Sequence, residues 1–314
     1  MAKLRRSGLK IDADFTEEVV GFALESFLAV MSFPRHRFSI EPFSRARERG
    51  LGADARLRGK IQGFRPFYMQ FKRPSAYPYD STSKIIIDRN NLNLSVYPHA
   101  LYFDLRQKGA HHWDFQHNIL FRLRQRLRKK QLGDAAYVCP LFLEQSTYRS
   151  HLHWLGISLW LRFWRKHPCD FEGILVNDNG TLLQFDRIPM LAAHITVPPH
   201  IIVTNAKHRY SFTEAGNDLC FHSPETLPDV GMNLGAFLNT LSTGFLDGAE
   251  KILPQKAYEE LQALMKEALG DVPEAHQLIS EMDVDDPIGN WFAWGDYLRV
   301  KFRIDQYAMV IWRE

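Results

Sequence analysis

The sequence predicts an α/β fold, with a mixed central sheet flanked by helices over residues 1–149 and an α+β extension over 150–314. Three observations carry this reading. Two segments, 14–32 and 114–131, repeat apolar residues at three- and four-residue steps, the period of an amphipathic helix. Short apolar runs bounded by turn residues lie between them. The resulting order, helix, strands, helix, strand, is that of a sheet with helices packed on it.

In the first helix Phe15, Val19, Phe22, Ala23, Phe27 and Val30 form the stripe, and Pro34 ends the run. On a helical wheel Glu18 and Glu25 share one flank of that stripe, while Glu17 points away. Strands are expected at 47–57 and 66–73, then a loop over 74–83. Ile85-Ile86-Ile87 and the run 101–105 read as further strands, separated by an Asn-rich turn at 90–93. The second helix buries Ile119, Leu120, Leu123 and Leu127, takes Asp114 as N-cap and stops at Gly133-Asp134. A short buried strand follows over 136–143. Beyond residue 150 the pattern gives an aromatic-rich helix over 151–166, a hairpin over 173–187, and strand pieces at 200–204, 208–213 and 218–222. Helices over 255–269 and 291–302 and a final strand over 307–312 complete it. No long linker divides the halves, so the second is expected to pack on the first.

Composition narrows the class. Hydrophobic residues make up 45% and charged residues 24%, which is ordinary for a chain with a packed core. A formal charge of +3 does not by itself call for a polyanion, but the cations gather at Lys3, Arg5, Arg6 and Lys10, then over 45–60 and 122–130, and acids over 250–286. Three cysteines without a CxxC pair point to a reducing compartment and away from a zinc ribbon. No leader pattern and no apolar stretch of about 18 residues stands out, so the expected setting is cytoplasmic, with no membrane partner. No Gly-rich phosphate loop, nucleophile elbow or His-Glu-x-x-His helix is present, which sets aside P-loop, serine-hydrolase and zinc-protease chemistry. His111, His112 and His117 lack the further ligand that a tetrahedral zinc set needs.

The informative constellation lies at 48–74. Strand side chains repeat every two residues, so Gln70 and Lys72 share one face while Phe67, Met69 and Phe71 share the other. Asp54, among Leu51, Ala53, Ala55 and Leu57, stands on a face of its own. Neighbouring strands would bring a carboxylate, an amide oxygen and an ammonium to one point, a set suited to Mg²⁺ and phosphate. The plainer reading makes Asp54 a turn residue and Lys72 an edge-strand lysine that discourages sheet-to-sheet pairing.

A Glu-bearing helix, a strand with Asp, a strand with Gln-x-Lys, then helix and strand resembles the PD-(D/E)XK, or restriction-endonuclease-like, superfamily. Within it the likeness is to Mrr-type members and bacterial defence nucleases with Gln in place of the last acid. The resemblance covers about residues 14–145. It implies a restriction-endonuclease-like core, Asp54, Gln70 and Glu18 as ligands of Mg²⁺ or Mn²⁺, and Lys72 as the group that orients water or neutralises phosphate. Glu25 and Glu48 compete with Glu18 for its role. Arg56, Arg73 and Gln116 would contact nucleic acid, with DNA expected before RNA. The function implied is metal-dependent phosphodiester hydrolysis in defence or DNA processing. The alternative is a non-catalytic nuclease-fold subunit that binds a protein partner or a second copy of itself. The basic run from Arg122 to Lys130 reads first as a solvated helix face favoured by the helix macrodipole, and second as a track for a phosphate backbone. Trp154, Trp160 and Trp164 read as packing or a protein interface before they read as base-stacking platforms.

Overall fold

The computed structural model describes residues 9–31, 38–42, 61–153, 185–223, 225–226, 231–243 and 254–312. The strands are β1 Ile11–Asp12, β2 Phe38–Pro42, β3 Ile61–Phe71, β4 Ser75–Pro78, β5 His99–Asp104, β6 Asp134–Pro140 and β7 His194–Val197. They continue as β8 Arg209–Thr213, β9 Cys220–Phe221, β10 Glu225–Thr226, β11 Met232–Asn233 and β12 Asp305–Trp312. The helices are α1 Glu17–Met31, α2 Lys84–Asn91, α3 Gln116–Lys129, α4 Pro189–Ala192, α5 Leu234–Ser242, α6 Pro254–Leu269, α7 Pro273–Ser280 and α8 Pro287–Phe302. A further helical run covers 145–153.

The fold is mixed α/β, with two mostly antiparallel sheets and helices against them. The central sheet has the order β11-β7-β6-β3-β12-β2, and the second sheet β1-β4-β5-β8-β9-β10. In the central sheet β3 and β6 run parallel and the other pairs antiparallel. The parallel connection carries β4, α2, β5 and α3 between its strands, as a crossover must.

The alternation expected in β3 is present and sorts the interior into two cores. Phe67, Met69 and Phe71 meet Val20, Leu24 and Phe27 of α1 and Phe237 and Leu241 of α5. Phe64 and Tyr68 point to the opposite side, among Ile119 and Leu123 of α3, Leu261 of α6, Trp291 and Trp294 of α8, and Leu101 and Phe103 of the second sheet. The last strand repeats the pattern: Tyr307 and Met309 enter the first core, Ala308 and Val310 the second. Phe67 stacks on Tyr307 at 5.5 Å, and Trp294 Nε1 donates to the Tyr68 hydroxyl at 3.0 Å, so the indole is satisfied where no water reaches.

Several expectations change in detail. Ile85-Ile86-Ile87 opens helix α2: Ser83 caps it, accepting from Ile86 N, and Ile85, Ile86 and Arg89 take the inner face. A three-residue apolar run has no period long enough to separate strand from helix. The loop expected over 74–83 contains β4, and α4, β7, α5 and α7 had no strong pattern to betray them. Residues 200–204 form no strand, and 185–187 form a 3₁₀ turn in place of a hairpin's end. The N-cap of helix α3 falls one residue later than expected, at Phe115 without a side-chain bond, and Asp114 instead accepts from Phe115 N and Asn118 Nδ2. The strand expected over 47–57 and most of the helix over 151–166 lie outside the described residues. The final strand β12 lies between β2 and β3, so the second half of the chain supplies the interior of the sheet begun by the first.

The link from α3 to β6 is tight. A Cβ on Gly133 would stand 1.8 Å from the Pro66 carbonyl oxygen, a backbone atom that cannot swing aside. Gly133→Ala is expected to destabilise the protein by about 1–3 kcal/mol or more, read as a lower urea midpoint with an unchanged slope.

Candidate functional site

β3 and β6 end side by side, and the site is built from what lies on their exit. Lys72 N donates to Val138 O at 2.8 Å, and Gln70 stands opposite Tyr137 in the parallel register. Gln70, Lys72, Tyr137 and Cys139 therefore share the face toward α3 and the second sheet. Gln70 is 1% exposed and Lys72 3%. β3 is an interior strand, so Lys72 is not an edge-strand lysine.

The Lys72 ammonium lies over the Tyr137 ring, 5.5 Å from its centroid, a cation–π contact that recovers part of its lost hydration. The Gln70 amide oxygen is buried and has no hydrogen-bond partner among the described residues. An unpartnered buried acceptor costs about 1–3 kcal/mol. Burial pushes the Lys72 pKa below the ordinary lysine value, and the Glu17 carboxylate pulls it back up. The same carboxylate and burial together raise the Cys139 thiol.

Glu17 reaches the site because the segment before α1 is tied to both strand exits. Ala13 N donates to Pro74 O at 3.3 Å, Asp14 N to Leu143 O at 3.0 Å, and Gln145 N to Asp14 Oδ1 at 2.5 Å. The first turn of α1 is thereby held across the ends of β3 and β6, with exposed Glu17 above buried Lys72. The helical wheel turned Glu17 away from the stripe, but it cannot show what the helix end overhangs.

The other predicted residues fall as follows. Asp54, Arg56 and Glu48 lie outside the described residues. Glu18 is exposed, and its own backbone amide, the Thr16 hydroxyl and the field of Arg303 hold its carboxyl below the usual range. Glu25 is buried on the α1 face of the sheet, where it accepts from the Tyr307 hydroxyl at 3.1 Å. The Arg73 guanidinium donates to Ala13 O. Buried Gln116 donates to Phe302 O at the end of α8. Gln70 and Lys72 are thus brought together, whereas Glu25 and Gln116 have bonding partners inside the fold. Among the described residues no group of three or more His, Cys, Asp or Glu side chains is placed to hold a metal ion.

His117 forms the floor behind Tyr137. Its Nδ1 accepts from the Tyr137 hydroxyl at 2.8 Å, and its Nε2–H donates to Ile201 O at 2.7 Å. Burial lowers its pKa to about 4, and nearby cations including Lys72 add to the shift. A second network mimics a hydrolytic triad: Asp88 Oδ2 lies 3.1 Å from His222 Nδ1, and His222 Nε2 lies 2.8 Å from Ser211 Oγ. Ser211 is fully buried and its oxygen also accepts from Arg89 Nη1 at 2.9 Å, so it anchors a buried guanidinium and offers no accessible nucleophile.

The basic run on α3 fits the reading of a solvated helix face only in part: Arg128 and Lys129 are exposed in the last turn, while Arg122, Arg124, Arg126 and Lys130 are in ion pairs. Arg122 pairs with Asp114 at 2.5 Å, Arg124 with Asp134 at 3.2 Å, Arg126 with Glu260 and Glu267 at 2.6 Å each, and Lys130 with Glu260 at 3.1 Å. Most of these cations bind α3 to α6 or to its own flanks. The acids on α6, Glu260 and Glu267, are distant in sequence, which is why the pattern of the run did not reveal them.

Family profiles, curated proteins and solved structures were all compared with this chain, and none matches. Among the described residues no helix is long and apolar enough to cross a membrane.

Lys72→Met is expected to raise stability at neutral pH, by on the order of 1 kcal/mol, because it removes a buried charge. Between the lowered folded pKa and 10.5 the unfolded chain holds more protons at this site. The wild-type penalty therefore fades as pH rises through that window, and the two urea midpoints converge toward pH 10.5. His194, like His117, is buried with its pKa lowered to about 4, bonded to Met190 O and the Tyr148 hydroxyl. Each ring contributes stability that is present above pH 6.5 and lost as pH falls toward 4, about 3 kcal/mol per ring. Urea titrations at pH 7, 5 and 4 should show this loss, with a flatter profile in the His117→Gln/His194→Gln double variant.

Proposed function

We propose that the exit of β3 and β6 is the working end of a metal-dependent phosphodiesterase acting on nucleic acid, with DNA the first substrate to test. The observation that carries the reading is an ammonium buried to 3% exposure on the same strand face as an amide oxygen with no partner among the described residues. A fold gains nothing in stability from either, since a buried charge costs several kcal/mol unless something answers it. A phosphate oxygen answers the ammonium, and a hard cation answers the amide oxygen.

In this reading Lys72 neutralises charge that grows on the phosphoryl group, in a dry setting where an ammonium is worth more than in water. Tyr137 holds it in place from below, and His117, neutral near pH 7, keeps the Tyr137 hydroxyl turned inward. The Glu17 carboxylate raises the Lys72 pKa against the larger effect of burial. The donor type of Gln70 Oε1 suits Mg²⁺ or Mn²⁺, which take oxygen ligands, and Asp54 and Glu18 remain the further ligands that the family likeness implies. Such an ion, when bound, supplies Lewis acidity and a more acidic water. The setting in bacterial defence or DNA processing, and the restriction-endonuclease-like core, rest on that likeness as well. The second reading, a non-catalytic nuclease-fold subunit, draws on the depth of Lys72 and Gln70, which an adaptor could retain as interior polar groups.

The purified protein incubated with plasmid DNA or structured RNA should cleave with Mg²⁺ or Mn²⁺ and not with EDTA. Lys72→Met and Asp54→Ala should each slow cleavage by about 100-fold or more. Full cleavage by either variant contradicts the assignment. Absence of cleavage, together with a stable complex to another protein chain, favours the adaptor.

A further inference from the structure

A cavity of about 230 Å³ lies at the opposite end of β6 from Lys72, beneath the last turns of α3. Its position separates it from the site above. Asp134, on its wall, stands opposite Phe67 in the register, while Lys72 bonds to Val138, so the two lie about 16 Å apart along the strands.

The wall is largely apolar, formed by Met232, Phe237 and Leu241 among others. Arg124 and Arg128 flank it from α3, four residues apart and so on one helix face. Asp134 takes up one of these charges through Arg124 Nε at 3.2 Å. The side chain of exposed Arg128 makes no ion pair or hydrogen bond among the described residues and acts on Asp134 only through its field, which leaves the cavity one net positive charge. The hydroxyls facing it have spent their protons: Thr196 Oγ1 donates to Met232 O at 2.8 Å and Thr240 Oγ1 to Ala236 O at 3.0 Å. Guanidinium N–H groups are therefore the donors that remain.

An apolar wall, a free guanidinium and no free hydroxyl proton select an anion with an apolar body. A cavity of about 150 Å³ accepts benzene, so this volume holds one ring and its oxyanion. We propose that the cavity binds a small anion in which a carboxylate or phosphate is attached to a single ring, the oxyanion on Arg128 and the ring against Phe237 and Leu241. Arg128 carries the anion contact because Arg124 is already tied to Asp134.

The test uses the full chain and ligand-observed NMR titration with four probes: benzoate, phenyl phosphate, benzyl alcohol and inorganic phosphate. At least one aromatic anion should bind ten-fold or more tightly than both benzyl alcohol and inorganic phosphate, and the tighter of the two identifies the headgroup. Arg128→Gln should weaken that binding at least ten-fold. Thr240→Trp, which fills the cavity from an exposed position, should abolish it without changing the urea midpoint. Equal binding of the charged and neutral rings, undiminished binding in Arg128→Gln, or no binding by any probe would overturn the proposal. Phosphodiester cleavage has no part in this readout, so the outcome is independent of the function proposed for Lys72.

Discussion

Because β3 is covered by α1 on one side and by α3, α6, α8 and the second sheet on the other, every side chain on it must be apolar or must find its partner inside the protein. From Phe64 to Met69 that demand is met largely by aromatic and aliphatic residues, with Tyr68 satisfied by Trp294 and Arg65 Nη1 donating to the Leu241 carbonyl at 2.6 Å. At its exit the strand departs from the rule with Gln70 and Lys72. Sequences that specify one fold are consistent from level to level, and local departures gather at functional sites. The double cover therefore both builds the core and marks where the core has been compromised.

The parallel pair gives the molecule two distinct ends. Ligands of open α/β sheets gather at the carboxyl ends of strands, where chain segments leave the sheet and side chains can converge. Here the carboxyl ends of β3 and β6 are overhung by the start of α1, which brings the exposed carboxylate of Glu17 near a buried ammonium. The amino end of β6 carries the opposite balance, with Arg124 and Arg128 beside a largely apolar cavity. The ion pairs between α3 and Glu260 and Glu267 hold that helix in place between the two ends.

What the sequence disclosed was local. The alternation in β3 and the stripe of α3 are written in consecutive residues and are present, whereas the stripe expected for α1 holds at Ala23 and Phe27 and fails at Phe22, which is 64% exposed. The convergence of Gln70 and Lys72 on one face follows from the two-residue repeat alone. What stayed hidden depends on contacts between distant residues. Nothing near Tyr307 announces that its strand will lie between β2 and β3, and nothing near Arg126 announces Glu260. Ile85 to Ile87 was ambiguous because three apolar residues fit either period, and the Ser83 cap resolves them as helix. Glu17 was missed for a different reason: its importance comes from the backbone bonds of Ala13 and Asp14, which position the helix end over Lys72.

The central claim is that Lys72 is a buried ammonium at a cation- and phosphate-binding face. It is tested most directly by NMR of the protein with ¹³C-labelled lysine side chains, the Lys72 signal being assigned by its loss in Lys72→Met. The account predicts that this signal titrates below the ordinary lysine value and is selectively broadened by substoichiometric Mn²⁺. Titration at the ordinary value, or indifference to Mn²⁺ while other lysines respond, would contradict it.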